Sequence, residues 1–417
     1  VVATAFLVLS IVGLGLTANA RFPRRPGSRF AVPSFFAAWP TIELAPQFLV
    51  VQFVGALLFA RAGALDSARG VVALVLAVVS WIGLVVLTRQ SARAGAVVEH
   101  ALAAGLGADY AATLGDVGDA TARRALSVFR LALAFPLPDP RVEAIRNVRY
   151  ADGAGRRHLL DVYRPATPVT GAPVLVQVHG GAWIIGEKRE QGRPLMYQLA
   201  ASGWVCVAPN YQLSPGVAFP EHLIDVKRAL AWVRGHVAEY GGDPDFVVIS
   251  GGSAGGHLAT LAALTPNDPQ YQPGFADVDT SVAACVPFYA PYDLNGRVTG
   301  PGGSGLDRLL ERSVMKQSRA AAPALYRRAS PLEQIEPGAP PFMIVHGTAD
   351  SLVAVEVARA FADELGRRSE NPVVFVEFPG AEHAFEVFHS LRSDAAVRGV
   401  HRFLAVVQAR ARHDFGP

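Results

Sequence analysis

The sequence predicts an α/β protein, a mostly parallel sheet with flanking helices, preceded by an N-terminal transmembrane helical region. Three observations carry this reading. From about Val142 onward, short β-rich runs alternate with helical ones, the pattern of strands joined by crossover helices. Before Val142 stand three long apolar stretches, which help lift the chain to 51% hydrophobic residues and a mean hydropathy of +0.27, high for a purely soluble protein. Within the C-terminal part, residues 246–257 (FVVISGGSAGGH) pass from an apolar run through a glycine turn into a helix-forming run, with a serine at the turn. The 417 residues therefore divide into a helical anchor (1–90), a helical linker and candidate cap (91–140) and an α/β domain (141–417).

The first apolar stretch, Val1 to Ala20, carries no charged side chain, and neither does the third, Val71 to Thr88. Both approach the roughly 20 apolar residues that a membrane span needs. Phe48 to Ala60 is shorter and contains Gln52, so it reads as a third span or as a re-entrant or interfacial helix. The loop after the first stretch holds Arg21, Arg24, Arg25 and Arg29; Arg61 and Arg69 follow the second, and Arg89 and Arg93 the third. With three spans, the first and last of these groups share a side, and their positive excess puts the C-terminal domain in the cytoplasm. Ala18-Asn19-Ala20 has the small-residue pattern of a leader cleavage site, but cleavage there would export a loop with four arginines. Residues 91–140 are Ala-rich and broken by Gly105, Gly107, Gly115 and Gly118. Pro136, Pro138 and Pro140 then mark the boundary.

Within the α/β domain, Val142–Tyr150 and His158–Tyr163 read as an antiparallel pair about the turn Asp152-Gly153. Pro173–Val178 is a buried strand that runs directly into His179-Gly180-Gly181-Ala182-Trp183. Val205–Ala208 leads into Asn210-Tyr211-Gln212-Leu213-Ser214-Pro215. After Pro220, Leu223, Val226, Leu230, Val233 and Val237 form a helical stripe that stops at Gly241-Gly242. Phe246–Ile249, Val282–Tyr289, Phe342–Val345 and Val373–Phe378 supply further strands, and an amphipathic helix over Ser393–Gln408 closes the domain.

A serine between small residues on a strand-to-helix turn has the G-x-S-x-G form of a nucleophile elbow. The turn excludes side chains at Gly251 and Gly255, and the strained backbone lifts the Ser253 hydroxyl above the sheet edge. A plain glycine-rich turn shares those letters, so the surrounding constellation decides. Acyl transfer by serine needs a base, a carboxylate to orient it and donors for the oxyanion. Past the ends of predicted strands lie Asp350, in HGTADSLV (346–353), and His383, in PGAEHAF (379–385). The order Ser253, Asp350, His383 is that of α/β-hydrolases. Gly180, Gly181 and Ala182, with Ala254 after the serine, offer backbone N–H groups for an oxyanion hole. Asp293 competes with Asp350 but follows an earlier strand. His179 and His346 read as loop ties, and the side chain of Glu382 should point away from His383.

The net charge of +3 is spread without a basic tract, so no nucleic-acid partner is expected. Cys206 and Cys285 fall in apolar core runs, with no disulfide framework or metal-ligand spacing, and no cofactor or metal is expected.

Together HGGAW (179–183), NYQLSP (210–215), GGSAGG (251–256), HGTAD (346–350) and HAF (383–385) resemble the hormone-sensitive-lipase-like esterases of the α/β-hydrolase fold, over roughly Val142 to the C-terminus. Membrane-anchored bacterial members of this kind are known. The resemblance implies a serine carboxylesterase or lipase that cleaves small-molecule or lipid esters through an acyl-enzyme. Ser253 would be the nucleophile, His383 the base and Asp350 its orienter. A cap would come from residues before Val142 and from the insertion Leu294–Ala329. Two positions depart from the pattern: Ala182 replaces a third glycine, and Gly252 stands where an acidic residue often precedes the nucleophile. Neither change removes a backbone donor. The motifs also resemble feruloyl-esterase-like and arylformamidase-like proteins, which makes amide cleavage the alternative chemistry. A non-catalytic receptor or scaffold is the alternative outside hydrolases. Proteins of that kind have lost the serine or the histidine, and both remain here.

Overall fold

The computed structural model describes residues 1–114, 133–135, 137–300 and 305–414. Eight strands build one sheet: β1 (Val142–Arg149), β2 (Leu159–Pro165), β3 (Ala172–Val178), β4 (Val205–Pro209), β5 (Gly242–Gly252), β6 (Ala284–Phe288), β7 (Phe342–Gly347) and β8 (Val373–Phe378). Their order is β1-β2-β4-β3-β5-β6-β7-β8. The pairs β1/β2 and β2/β4 are antiparallel, and the other neighbours are parallel. Strands β4, β6 and β7 are buried at every residue. Covered on both faces, they read as continuous apolar runs rather than alternating ones.

The N-terminal helices are α1 (Val2–Arg21), α2 (Ala31–Glu43), α3 (Ala45–Arg61), α4 (Ala68–Ala92) and α5 (Ala94–Leu106). Around the sheet come α6 (Arg193–Ala200), α7 (Glu221–His236), α8 (Ala254–Leu264), α9 (Gly305–Leu309), α10 (Pro323–Arg328), α11 (Val355–Arg368) and α12 (Leu391–Asp414). Successive strand residues face opposite layers. Val174, Val176 and Ile249 pack with Leu223, Val233, Leu258 and Phe361 of α7, α8 and α11. Leu175, Val248 and Val286 pack with Leu102, Met196, Val400 and Phe403 of α5, α6 and α12. The linker contributes α5 and a short turn at Tyr110–Thr113. Gly115, Gly118 and Pro136 of the expected short helices lie outside the described residues. In the expected cap insertion, α9 and α10 are described and 301–304 are not.

Among the described residues, two helical stretches are long and apolar enough to cross a membrane: Val2–Arg21 (mean hydropathy 1.9) and Ala68–Leu106 (mean hydropathy 2.8). Helices α2 and α3 meet this test only as a pair, bent by 85°. Near one end of the bundle Phe6 of α1 clusters with Ala56 of α3 and Ala73 of α4. Near the other, Ala20 clusters with Ala45, Leu84 and Leu87. Helices α1 and α4 therefore run parallel and pack directly on each other, with α3 antiparallel to both and packed mainly on α4. The Thr17 and Ser80 hydroxyls pair at 2.8 Å where α1 meets α4, the kind of polar contact that joins helices in lipid. Val8, Leu9, Ile11 and Val12 of α1 and Val71, Val75, Val79 and Ile82 of α4 are exposed.

Helix α2 departs from the sequence expectation, which leaves 21–47 as a loop followed by a second apolar stretch. Pro33 sits in its first turn, where a missing N–H costs little. Its apolar positions Phe35, Ala38 and Ile42 are all buried at helical spacing. Asn19 and Ser34 exchange hydrogen bonds of 2.8–2.9 Å that tie its start to the end of α1.

Candidate active site

Strand β5 ends at Gly252 and α8 begins at Ala254, so Ser253 alone makes the corner, with φ 56° and ψ −123°. A side chain pays strain for that conformation, and such strain persists only where the surroundings enforce it. Here the Ser253 N–H donates to the Phe288 carbonyl of β6 at 2.9 Å, and the Ser253 carbonyl accepts from His257 N–H at 2.9 Å. Gly255 cannot be larger, because a Cβ there would lie 2.3 Å from the Val178 carbonyl oxygen and 2.4 Å from that of His179. This close approach brings the loop after β3 against the turn.

That loop runs with positive φ at three successive residues, Gly181 (114°), Ala182 (52°) and Trp183 (61°). The Gly181 carbonyl accepts from both Ile184 and Ile185, each at 3.0 Å. The four expected donors do not stand alike. Gly180 N–H is already committed to Gln191 Oε1 at 2.7 Å. Gly181 and Ala182 donate to no described residue. Ala254 occupies the first helical position of α8, where an N–H has no partner within its own helix. His179 acts as the expected loop tie, with Nδ1 at 2.7 Å from the Gly180 carbonyl. Tyr211 donates to the His179 carbonyl at 3.0 Å.

Asp350 and His383, from the loops after β7 and β8, meet as the sequence predicts: His383 Nδ1 lies 2.7 Å from Asp350 Oδ2. The other carboxylate oxygen accepts from the N–H groups of Leu352 and Val353, each at 2.8 Å. His346 Nε2 lies 3.2 Å from Oδ2 and 3.1 Å from the Val353 carbonyl, so it ties the acid's own loop. Burial pushes the Asp350 carboxyl upward, but His383 and His346 beside it outweigh burial and hold it below the usual carboxylate range. For His383, burial works downward, and Asp350 with two further carboxyls raises it above the ordinary 6.5. The His383 ring centroid is 4.4 Å from that of Tyr289. The Tyr289 hydroxyl in turn packs under the elbow, 2.5 Å from where a Cβ on Gly252 would be. Base loop and elbow thus share one neighbour.

Glu382 is bound through its carboxylate to groups other than the imidazole ring. Its carboxylate accepts from Ser351 N–H (2.8 Å), from His383 N–H (2.7 Å) and from the Ser351 hydroxyl, lashing the acid loop to the base loop. Burial and the nearby Asp350 raise it to about 7. Asp293 accepts from Val298 N–H at 2.7 Å, within its own loop. His257 contacts the Ala329 carbonyl at 2.7 Å and, like His179, is pushed by burial to about 4, hence neutral at pH 7. Cys206 and Cys285 are buried free thiols of β4 and β6. Gln191 and Tyr289 acquire their roles through contacts distant in sequence, and Glu382 through its reach to Ser351.

A serine raised on a βα corner above a mostly parallel sheet, with a histidine–carboxylate pair from the ends of β7 and β8, defines an α/β-hydrolase. The sequence model of the family described as BD-FAE matches residues 160–365. The probable carboxylic ester hydrolase LipM of Mycobacterium tuberculosis is 43% identical over 415 residues, covering 97% of this chain and 93% of that protein. Esterase LipC of the same organism is 39% identical, covering 72% and 77%. Among solved structures, the butyrate-bound esterase Est2 of Thermogutta terrifontis is 29% identical with a TM-score of 0.52, covering 64% of this chain and 92% of that one. This chain belongs to the family of α/β-hydrolase carboxylic ester hydrolases that includes LipM and LipC, and it is a carboxylic ester hydrolase.

Proposed function

We propose that hydrolysis proceeds by two-step acyl transfer with Ser253 as nucleophile, His383 as its base and Asp350 as the group that orients the base. The observation that carries this reading is Tyr289, which packs on His383 and under the strained corner of Ser253, while His383 meets Asp350 at 2.7 Å. The serine oxygen attacks the ester carbonyl while His383 Nε2 takes its proton. The imidazolium then gives that proton to the departing alkoxide, leaving an acyl-serine. Water, deprotonated by the same nitrogen, releases the acid and restores the serine. Gly181 or Ala182 with Ala254 donate to the oxyanion, and Gly180 acts through its bond to Gln191 to hold that loop.

The N-terminal part, 1–90, acts as a membrane anchor in which α1, α3 and α4 cross in alternating directions. Arg21, Arg24, Arg25, Arg29, Arg89 and Arg93 would then share one side, and that positive side is the cytoplasm, where the catalytic domain of residues 141–417 sits. A site beside a bilayer favours apolar esters.

Ser253→Ala in the full chain tests the chemistry. Turnover of p-nitrophenyl butyrate should fall by about 10⁶-fold while the melting temperature stays unchanged. The fluorophosphonate label carried by the parent should disappear. Retained turnover in that variant refutes the assignment.

A further inference from the structure

One face of α2 lies against the segment that carries His383. Phe35, Trp39 and Glu43 follow one another at four-residue spacing and so share that face. The Phe35 ring meets the His383 imidazole edge-on, with centroids 6.0 Å apart. Trp39 Nε1 donates to the carbonyl of Ala384, the next residue, at 2.8 Å. The Trp39 ring also stacks on Phe35 at 5.3 Å and packs on Phe388 at 4.7 Å. Glu43 accepts from the Ser390 hydroxyl at 2.7 Å and pairs with Arg392 at 2.9 Å, with both side chains of the ion pair buried. Arg392 reaches back to the Pro379 carbonyl at 3.2 Å, so the same helix secures the segment at its start, middle and end.

The segment needs this support. Ala384 has φ 58°, a left-handed conformation that a residue with a Cβ keeps only when held. Nothing in Ala384 favours it, and its carbonyl is the one Trp39 binds. On its inner side, the imidazole is fixed by Asp350 and Tyr289. On its outer side, it is closed by Phe35.

We propose that α2 is a positioning element of the active site. Trp39 holds the backbone beside His383, Phe35 limits the imidazole to the ring orientation that faces Ser253, and Glu43 fastens the ends of the segment. The N-terminal helices are then part of the catalytic apparatus as well as an anchor. Trp39 and Phe35 are positioning residues, since they act through His383. The inference rests on His383 being the base.

The test uses the full-length chain in detergent micelles. Trp39→Phe keeps a ring but removes the donor, and Phe35→Leu keeps apolar bulk but removes the edge-on ring. Each is measured for kcat and KM on p-nitrophenyl butyrate, with kcat expressed per site titrated to completion by a fluorophosphonate, and for melting temperature. Small displacements of a reacting group are costly, so Trp39→Phe should lower kcat per titrated site by about tenfold or more. KM should stay within about threefold, because substrate binding does not depend on the base. Phe35→Leu should shift the same way, by less. A kcat within about twofold of the parent in both variants overturns the proposal. So does a loss that disappears on normalising to titrated sites, because that is the mark of a merely structural role. Ser253→Ala run in parallel separates the two readings: if it keeps turnover, the site assignment and the inference both fail. If it is inactive while both Trp39→Phe and Phe35→Leu keep the parental kcat, only the inference fails.

Discussion

His383 sets how the reaction responds to pH. Its imidazole must be neutral to accept the serine proton, and Asp350 raises it above the ordinary 6.5 against the downward push of burial. The acid limb of kcat/KM should therefore have its midpoint above 6.5, with activity lost as pH falls through it. Asp350→Asn removes the largest raising influence, leaving burial opposed only by Glu382 and Glu386. The limb should move to lower pH while kcat drops by about 10⁴-fold, because the asparagine no longer selects the required tautomer. A pH–rate profile of both proteins measures this, and a limb that stays in place would remove Asp350 as the cause. At this scale the meeting of Asp350 and His383 is legible in the sequence, because each follows a strand whose apolar run marks its end. The occupation of Gly180 N–H by Gln191 is not, since Gln191 lies eleven positions on along irregular chain and no periodicity relates them.

The corner between β5 and α8 is an element in which backbone touches backbone. Gly255 lies where a Cβ would overlap the carbonyl oxygens of Val178 and His179, and neither can move without shifting β3. Gly255→Ala should therefore cost about 1–3 kcal/mol in denaturant unfolding, as overpacking in a core does. It should also push apart the Gly181–Ala182 loop and Ala254. If those amides bind the oxyanion, kcat should fall by at least about 10²-fold, more than the stability loss alone explains. An alanine variant with parental stability and kcat would show that the contact relaxes freely. The elbow is the most legible element of the chain, because glycines at a strand-to-helix turn have a steric reason that the letters display. Helix α2 is the least legible. Pro33 and Pro40 punctuate it, the preceding arginines make it resemble a loop, and the face it buries is complementary to residues some 345 positions away.

Across the whole molecule, the ion pair of Glu43 with Arg392 joins the N-terminal helices to the α/β part. The proline-marked boundary near Pro140 follows the change in sequence texture, but the packing crosses it. Phe35 belongs to the same buried cluster as Val400 and Phe403 of α12, and α5 contributes Val98 and Leu102 to it. Local patterns cannot reveal such a joint, because each partner alone reads as an ordinary polar residue in an apolar neighbourhood. Its energetics can be separated with two variants. Glu43→Ala leaves the Arg392 guanidinium buried without its counter-charge, and breaking a buried pair in this way costs about 3–5 kcal/mol. Glu43→Ala with Arg392→Met removes the stranded charge and replaces it with apolar volume, so a large part of that loss should return. Unfolding of the full chain in detergent, followed by esterase activity and by tryptophan fluorescence, should give one coincident transition that moves down in the single variant and partly back in the double. Two separate transitions, with only the fluorescence one moving, would mean that the helices and the catalytic sheet unfold independently. The ion pair would then tie down a neighbour without stabilising the enzyme.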